Sequence, residues 1–80
     1  MEKQDCLTIF GDRIRYLRTQ IGLSQESLAE KAGIDRSYLG GVERGEHNLA
    51  LINILKIAKG LNISPESLFE PFNNKHIHTG

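Results

Sequence analysis

Residues 24 to 45 read SQESLAEKAGIDRSYLGGVERG, and their punctuation decides the fold. The Ser24 hydroxyl can accept from the amides of the next turn, so a short helix is expected over Gln25–Ala32 with Leu28, Ala29 and Ala32 turned inward. Gly33 can take the left-handed conformation that commonly ends a helix. Asp35 can cap a second helix over residues 36–44, with Leu39 and Val42 inward, which Gly45 stops in the same way. A helix, a tight glycine turn and a second helix presented to solvent form a unit that can read DNA. The second helix enters a major groove about 12 Å wide while the first crosses the phosphate backbone. The same spacing also suits an ordinary helical hairpin inside a bundle.

Outward from this segment the pattern stays helical. Phe10, Ile14, Leu17 and Ile21 recur at helical spacing, with Arg13, Arg15 and Arg18 mostly on the other face, which predicts an amphipathic helix over residues 7–21 ended by Gly22. After a loop over residues 46–49, a fourth helix is expected at residues 50–59, before Gly60. Its Leu51, Ile52, Ile54, Leu55, Ile57 and Ala58 wrap much of the circumference. Ser64-Pro65-Glu66 is a helix start, with the hydroxyl capping and proline in the first turn, and the fifth helix carries Leu68, Phe69 and Phe72. Residues 73–80 lack any such pattern and are expected to fray. The expectation is an all-α, five-helix chain forming one domain over residues 1–80, with its core at about 7–72.

Composition narrows the function. Ten Lys plus Arg balance ten Asp plus Glu, so no bulk field draws the chain to nucleic acid or membrane, and any positive patch must be local. Arg36 and Arg44, with Lys31 or Arg18, are the candidates. The single cysteine, Cys6, has no internal disulfide partner, no leader pattern opens the chain, and no apolar run approaches about 18 residues. The expected location is the cytoplasm, with no membrane partner. Cys6, His47, His76 and His78 are scattered, and His76-Ile77-His78 lacks convincing metal-site spacing. With no nucleophile beside a base and no phosphate-cradling loop, the expectation is no metal, no cofactor and no enzyme.

Arg36 and Ser37 open the exposed helix, where base contacts concentrate: the arginine fork fits guanine O6 and N7, and a hydroxyl donates or accepts. The bland alternative for Arg36 is a solvated side chain paired with Asp35. Tyr38 can reach a phosphate or a thymine methyl, or be a half-buried structural residue. Gly40 and Gly41 each cost about 1 kcal/mol relative to alanine inside a helix, so something must compensate. Either the bare backbone approaches the groove or makes room for Arg36, or the glycines allow close helix packing. Ser24 and Gln25, at a helix start with free amides, suit a phosphate, although Ser24 can equally be only a cap.

These residues carry a resemblance. RIRYLRTQIGLSQESLAEKAGI, the exposed helix ending VERGE, and LINILKIAKGLNISPESLF resemble the phage-repressor (Xre/Cro-like) helix-turn-helix family over roughly residues 10–72. DRSYLGGVERGEHNLAL is similar to the controller proteins of restriction-modification systems, small dimeric regulators that bind operators. The resemblance implies a repressor-like DNA-binding domain in which Arg36 and Ser37 read bases while Gln25 and Tyr38 contact or support the backbone. It also implies a buried ion pair between Arg18 and Glu43. The controller pattern often has a basic residue at His47 and a capping hydroxyl at Ala50, and Arg44 can supply the phosphate contact instead. The residues assigned to base edges are thus Arg36, Ser37, Tyr38 and Gly41, and those assigned to the backbone are Ser24, Gln25, Arg44, His47 and Asn48.

One helix cannot bury Leu51, Ile52, Ile54, Leu55 and Ile57 against so small a core, and each such side chain gains about 1.5 to 3 kcal/mol on burial. A homodimer interface is therefore expected at Leu51, Ile52, Leu55, Phe69 and Phe72, setting two reading helices about 34 Å apart on a pseudo-palindromic operator. RNA polymerase is a further candidate partner, through acidic residues such as Glu26 or Glu30. The alternatives are a phage-type repressor or antitoxin with the same domain, and a protein-interaction module that has lost DNA binding.

Overall fold

A computed structural model describes residues 1–73, and every regular element among them is helical. The order is α1 Lys3–Gln20, α2 Gln25–Ala32, α3 Arg36–Glu43, α4 Leu51–Leu61 and α5 Pro65–Leu68, followed by a 3-10 turn at Glu70–Phe72. His76, His78 and, apart from Asn73, the tail expected to fray lie outside the described residues.

The helix-turn-helix segment is built by its caps. Ser24 Oγ accepts from the Ser27 amide at 3.0 Å, and Gly33 closes α2 at φ 72°. Asp35 Oδ2 accepts from the amides of Ser37 at 2.9 Å and Tyr38 at 3.3 Å, satisfying donors that the first turn of α3 would otherwise leave open. Helix α3 stops at Glu43, one residue short of expectation, with Arg44 as its C-cap and Gly45 at φ 78°.

Other boundaries and roles differ from the sequence expectation: α4 starts at Leu51 with Ala50 as its N-cap, and α5 ends at Leu68, so Phe69 and Phe72 lie in the turn that follows it. Helix α1 begins at Lys3 rather than residue 7, because Cys6 and Leu7 are half-buried and the Gln4 amide reaches Thr8 Oγ1 at 3.3 Å and the Gly45 carbonyl at 3.1 Å. Ile21, expected on the buried stripe, lies past the last turn and is exposed. Gly60 does not end α4. The helix runs on to Leu61 and closes on Asn62 at φ 60°, while a Cβ at Gly60 would sit 3.0 Å from Ala32 Cβ and Leu28 Cδ1, so this glycine serves the packing of α4 on α2. The Ser64 hydroxyl does not cap α5; it lies 3.3 Å from Ser67 Oγ.

Phe10, Ile14, Leu28, Leu39, Val42, Ile57, Leu61 and Leu68 form the core, with Leu17, Tyr38, Ile54 and Phe72 half-buried against it. Helix α4 delivers only one side of its apolar surface to that core. Ile57 is fully buried, whereas Leu51 and Ile52 are 70% and 58% exposed and Leu55 is exposed one turn on; Phe69, after α5, is exposed as well. Helix α1 closely approaches α3 at Gly11, where a Cβ would collide with the carbonyl oxygens of Val42 and Glu43. Among the described residues no helix is long and apolar enough to cross a membrane.

Candidate nucleic-acid interface

The inner side of α3 is locked before its outer side is considered. Leu39, Val42 and Glu43 are buried, and the Glu43 carboxylate accepts from Arg18 Nε at 2.7 Å, Arg18 Nη2 at 2.9 Å and Gln25 Nε2 at 3.0 Å. Arg18 Nη1 donates to the Leu23 carbonyl at 2.9 Å, so one guanidinium ties α1 to α3 and to the loop before α2. The carboxylate side chain is only 2% exposed, and a charge that deep is tolerated because its oxygens are fully hydrogen-bonded. Arg18 is therefore not part of a surface positive patch. Gln25 likewise commits its side-chain amide to the clamp.

On the outer side Arg36 and Ser37 are exposed. Arg36 has no hydrogen-bond or ion-pair partner among the described residues, and the neighbouring Asp35 turns its Oδ2 to the Ser37 and Tyr38 amides instead. Lys31 is exposed and equally unpartnered. Arg44 is engaged: its Nε lies 2.8 Å from Glu46 Oε2 and its Nη2 3.2 Å from Glu46 Oε1. That hydrogen bond holds the Glu46 carboxyl below its ordinary range and raises the Arg44 guanidinium. The pair is exposed and bidentate but weak enough for a phosphate to compete for it.

Tyr38 is half-buried on the flank of α3 that faces α4. Its ring lies 4.9 Å from the His47 ring, and its Oη accepts from Asn53 Nδ2 at 3.2 Å. The same His47 ring stands over Gly41, where a Cβ would be 2.6 Å from His47 Cδ2, so a backbone approach to DNA at Gly41 requires that ring to move. A Cβ at Gly40 would meet Arg44 Nη1 at 3.3 Å. Side chains thus cover the glycine pair, those of Arg44 and of Gln25 from α2 at Gly40 and that of His47 at Gly41, whereas helix backbones come close at Gly11 and Gly60. Ser24 is exposed with its hydroxyl capping α2, and Asn48 borders an apolar cleft of about 250 Å³ between Phe10, Ile54, Phe69 and Phe72.

Sequence reasoning missed Gly11, Asn53 and the amide of Gln25 within the clamp. Gly11 left a signal, since a glycine inside the apolar stripe of an otherwise good helix costs about 1 kcal/mol and implies a close neighbour. Asn53 left only a weak one, a poor helix former in a strongly apolar helix. No group of His, Cys, Asp and Glu among the described residues could hold a metal ion.

Residues 14–68 match the sequence profile of the helix-turn-helix family. The chain is 42% identical over 64 residues to the control protein C.SmaI of Serratia marcescens, covering 80% of this chain and 76% of that one. It is 39% identical over 70 residues to a Neisseria meningitidis hypothetical transcription factor, covering 88% of this chain but only 66% of the relative's length. The crystal structure of the restriction-modification controller protein C.AhdI from Aeromonas hydrophila superposes with a TM-score of 0.80 at 58% identity, over 81% of this chain and 98% of that one. The chain therefore belongs to the helix-turn-helix family, and its relatives are transcription regulators and controller proteins rather than enzymes.

Proposed function

We propose that the protein is a sequence-specific DNA-binding transcription regulator that acts as a homodimer on a pseudo-palindromic operator, in the manner of a restriction-modification controller protein. One observation carries the reading: Arg36 stands exposed, with no partner among the described residues, at the leading end of a helix whose inner side is fixed by the buried Arg18–Glu43–Gln25 clamp. A charged fork without an internal partner, on a rigid mount, is what bidentate reading of guanine requires. Ser37 joins Arg36 at the base edges. The amides at the start of α2, with Ser24 and Gln25, take one stretch of phosphate, and Arg44, His47 and Asn48 take the next. Tyr38 lies between the two groups, and Gly41 serves as the seat of the His47 ring.

The exposed apolar residues of α4, Leu51, Ile52 and Leu55, together with the exposed Phe69 and the half-buried Phe72, join the two protomers. Glu26 and Glu30, exposed on α2, remain the surface offered to RNA polymerase. Because the charge balance is zero, Arg18 is engaged and Arg44 is shared with Glu46, few phosphates are neutralised and the salt dependence of binding is shallow. Location in the cytoplasm follows from this role.

Selection of bound sequences from random duplex DNA, followed by sedimentation of the complex, tests the reading. A symmetric consensus bound by two protomers is the expected result. An asymmetric consensus bound by one protomer contradicts the dimer. Absence of any enriched sequence contradicts DNA recognition and favours the protein-interaction module that a neutral chain would suit.

A further inference from the structure

The Tyr38–Asn53 contact has a polarity. A phenol carries one hydroxyl hydrogen and two acceptor positions, and a primary amide nitrogen can only donate. With Asn53 Nδ2 donating to Tyr38 Oη at 3.2 Å, one acceptor position is filled from α4, and no acceptor among the described residues takes the hydroxyl hydrogen. The ring cannot swing freely to change this. It packs against the core, it lies 4.9 Å from the His47 ring, and the Tyr38 amide is held by the Asp35 carboxylate.

The outer surface of a duplex presents phosphate oxygens, which accept and never donate. A hydroxyl whose hydrogen points outward suits such a surface, and one that donates inward presents only lone pairs to it. We propose that Asn53 is a positioning residue for DNA recognition: its amide fixes the Tyr38 hydroxyl as an outward donor to a phosphate beside the reading edge of α3. This rests on the function proposed above and deepens it. Asn53 lies on the side of α4 away from Leu51 and Leu55, so the helix whose apolar ridge faces the second protomer also sets this donor.

The test compares affinities for a duplex recovered by selection. The chains are wild type, Tyr38→Phe, Asn53→Ala, Asn53→Asp, and both Asn53 substitutions combined with Tyr38→Phe. Loss of one charge-assisted hydrogen bond predicts that Tyr38→Phe weakens binding about tenfold or more. Asn53→Ala should weaken it too, yet add nothing once Tyr38→Phe is present. Asn53→Asp separates positioning from support, because a carboxylate keeps the contact but must accept, turning the hydroxyl hydrogen inward.

Binding by Asn53→Asp should be weaker than by Asn53→Ala, and the difference should exceed that between the same two substitutions in the Tyr38→Phe background, where only the added charge acts. Circular dichroism and sedimentation establish that each variant is folded and dimeric; should Asn53→Ala melt too early, Asn53→Asp against its Tyr38→Phe counterpart decides. Wild-type affinity in Asn53→Ala, additive losses, or recovery by Asn53→Asp would overturn the role of Asn53 alone. A wild-type chain that binds no selected duplex would overturn it together with the function on which it rests.

Discussion

Replacing Gly11 with alanine places a methyl group where helices α1 and α3 already touch. The new Cβ would stand 2.6 Å from the Glu43 carbonyl oxygen and 2.9 Å from its carbon, and closer still to the Val42 oxygen. Ordinary contact is roughly 3.5 Å, so the helices must part by several tenths of an ångström or more. The obstructing atoms are backbone and have no rotamer in which to retreat. Overpacking of this kind costs typically about 1 to 3 kcal/mol. The separation also falls on residue 43, where it stretches the 2.7 Å and 2.9 Å bonds of a pair whose full rupture costs about 3 to 5 kcal/mol. Alanine returns about 1 kcal/mol of helix propensity. The expected net loss is about 2 to 4 kcal/mol, a fall in Tm of roughly 10 to 25 °C for a chain of this size. Gly40→Ala is the matched control, since its Cβ meets the movable end of Arg44 at 3.3 Å and Gln25 Oε1 at an ordinary 3.7 Å, with no backbone in the way, and should stabilise α3 by about 0.5 to 1 kcal/mol. Thermal and urea unfolding followed by circular dichroism at fixed protomer concentration measures both. A Gly11→Ala chain as stable as the parent would refute the packing reasoned here.

Three further substitutions probe separate parts of the account. Glu43→Gln leaves the Arg18 guanidinium buried without its counter-charge and should cost about 3 to 5 kcal/mol in urea unfolding, against near-zero loss if the pair were solvated. Leu55→Glu puts a charge into the exposed ridge of α4; sedimentation should show dissociation to monomers and operator affinity should fall with it, whereas an intact dimer would place the interface elsewhere. Glu46→Gln releases Arg44, so binding at low salt should tighten and the salt slope should steepen by about 0.9 for each further phosphate neutralised. The Arg44–Glu46 pair has a defined pH sense. Arg44 lowers the Glu46 pKa, so the pair is present above the ordinary carboxylate range and is lost as pH falls through the lowered value; an unchanged slope in Glu46→Gln at neutral pH would mean that Glu46 does not hold Arg44 back from DNA.

The helix-turn-helix segment was legible because its signals are local. Ser24, Gly33, Asp35 and Gly45 each act on amides or dihedrals within a few residues, and α2 has the bounds expected from them. The errors arose where a residue answers to a distant neighbour. Gly60 looks like a stop until Ala32 and Leu28 are seen against it, and the start of α1 depends on Gln4 meeting a carbonyl from the turn after α3. At the interface, exposure of Arg36 follows from its place at a helix start, but the diversion of Arg18 to Glu43 and of Arg44 to Glu46 depends on tertiary geometry that spacing does not encode. The glycine pair shows the same limit. A groove and a packed helix are the neighbours that spacing suggests, but the group over Gly41 is the side chain of His47, six residues further along, and those at Gly40 are the side chains of Arg44 and Gln25.

The central claim, that the exposed start of α3 reads sequence, is tested most directly by the affinity of Arg36→Ala for a selected duplex and for a random one under the same salt. The account predicts a loss of about 1 to 3 kcal/mol on the selected duplex and a much smaller loss on the random one. Equal losses on both would make Arg36 a backbone contact and contradict the claim.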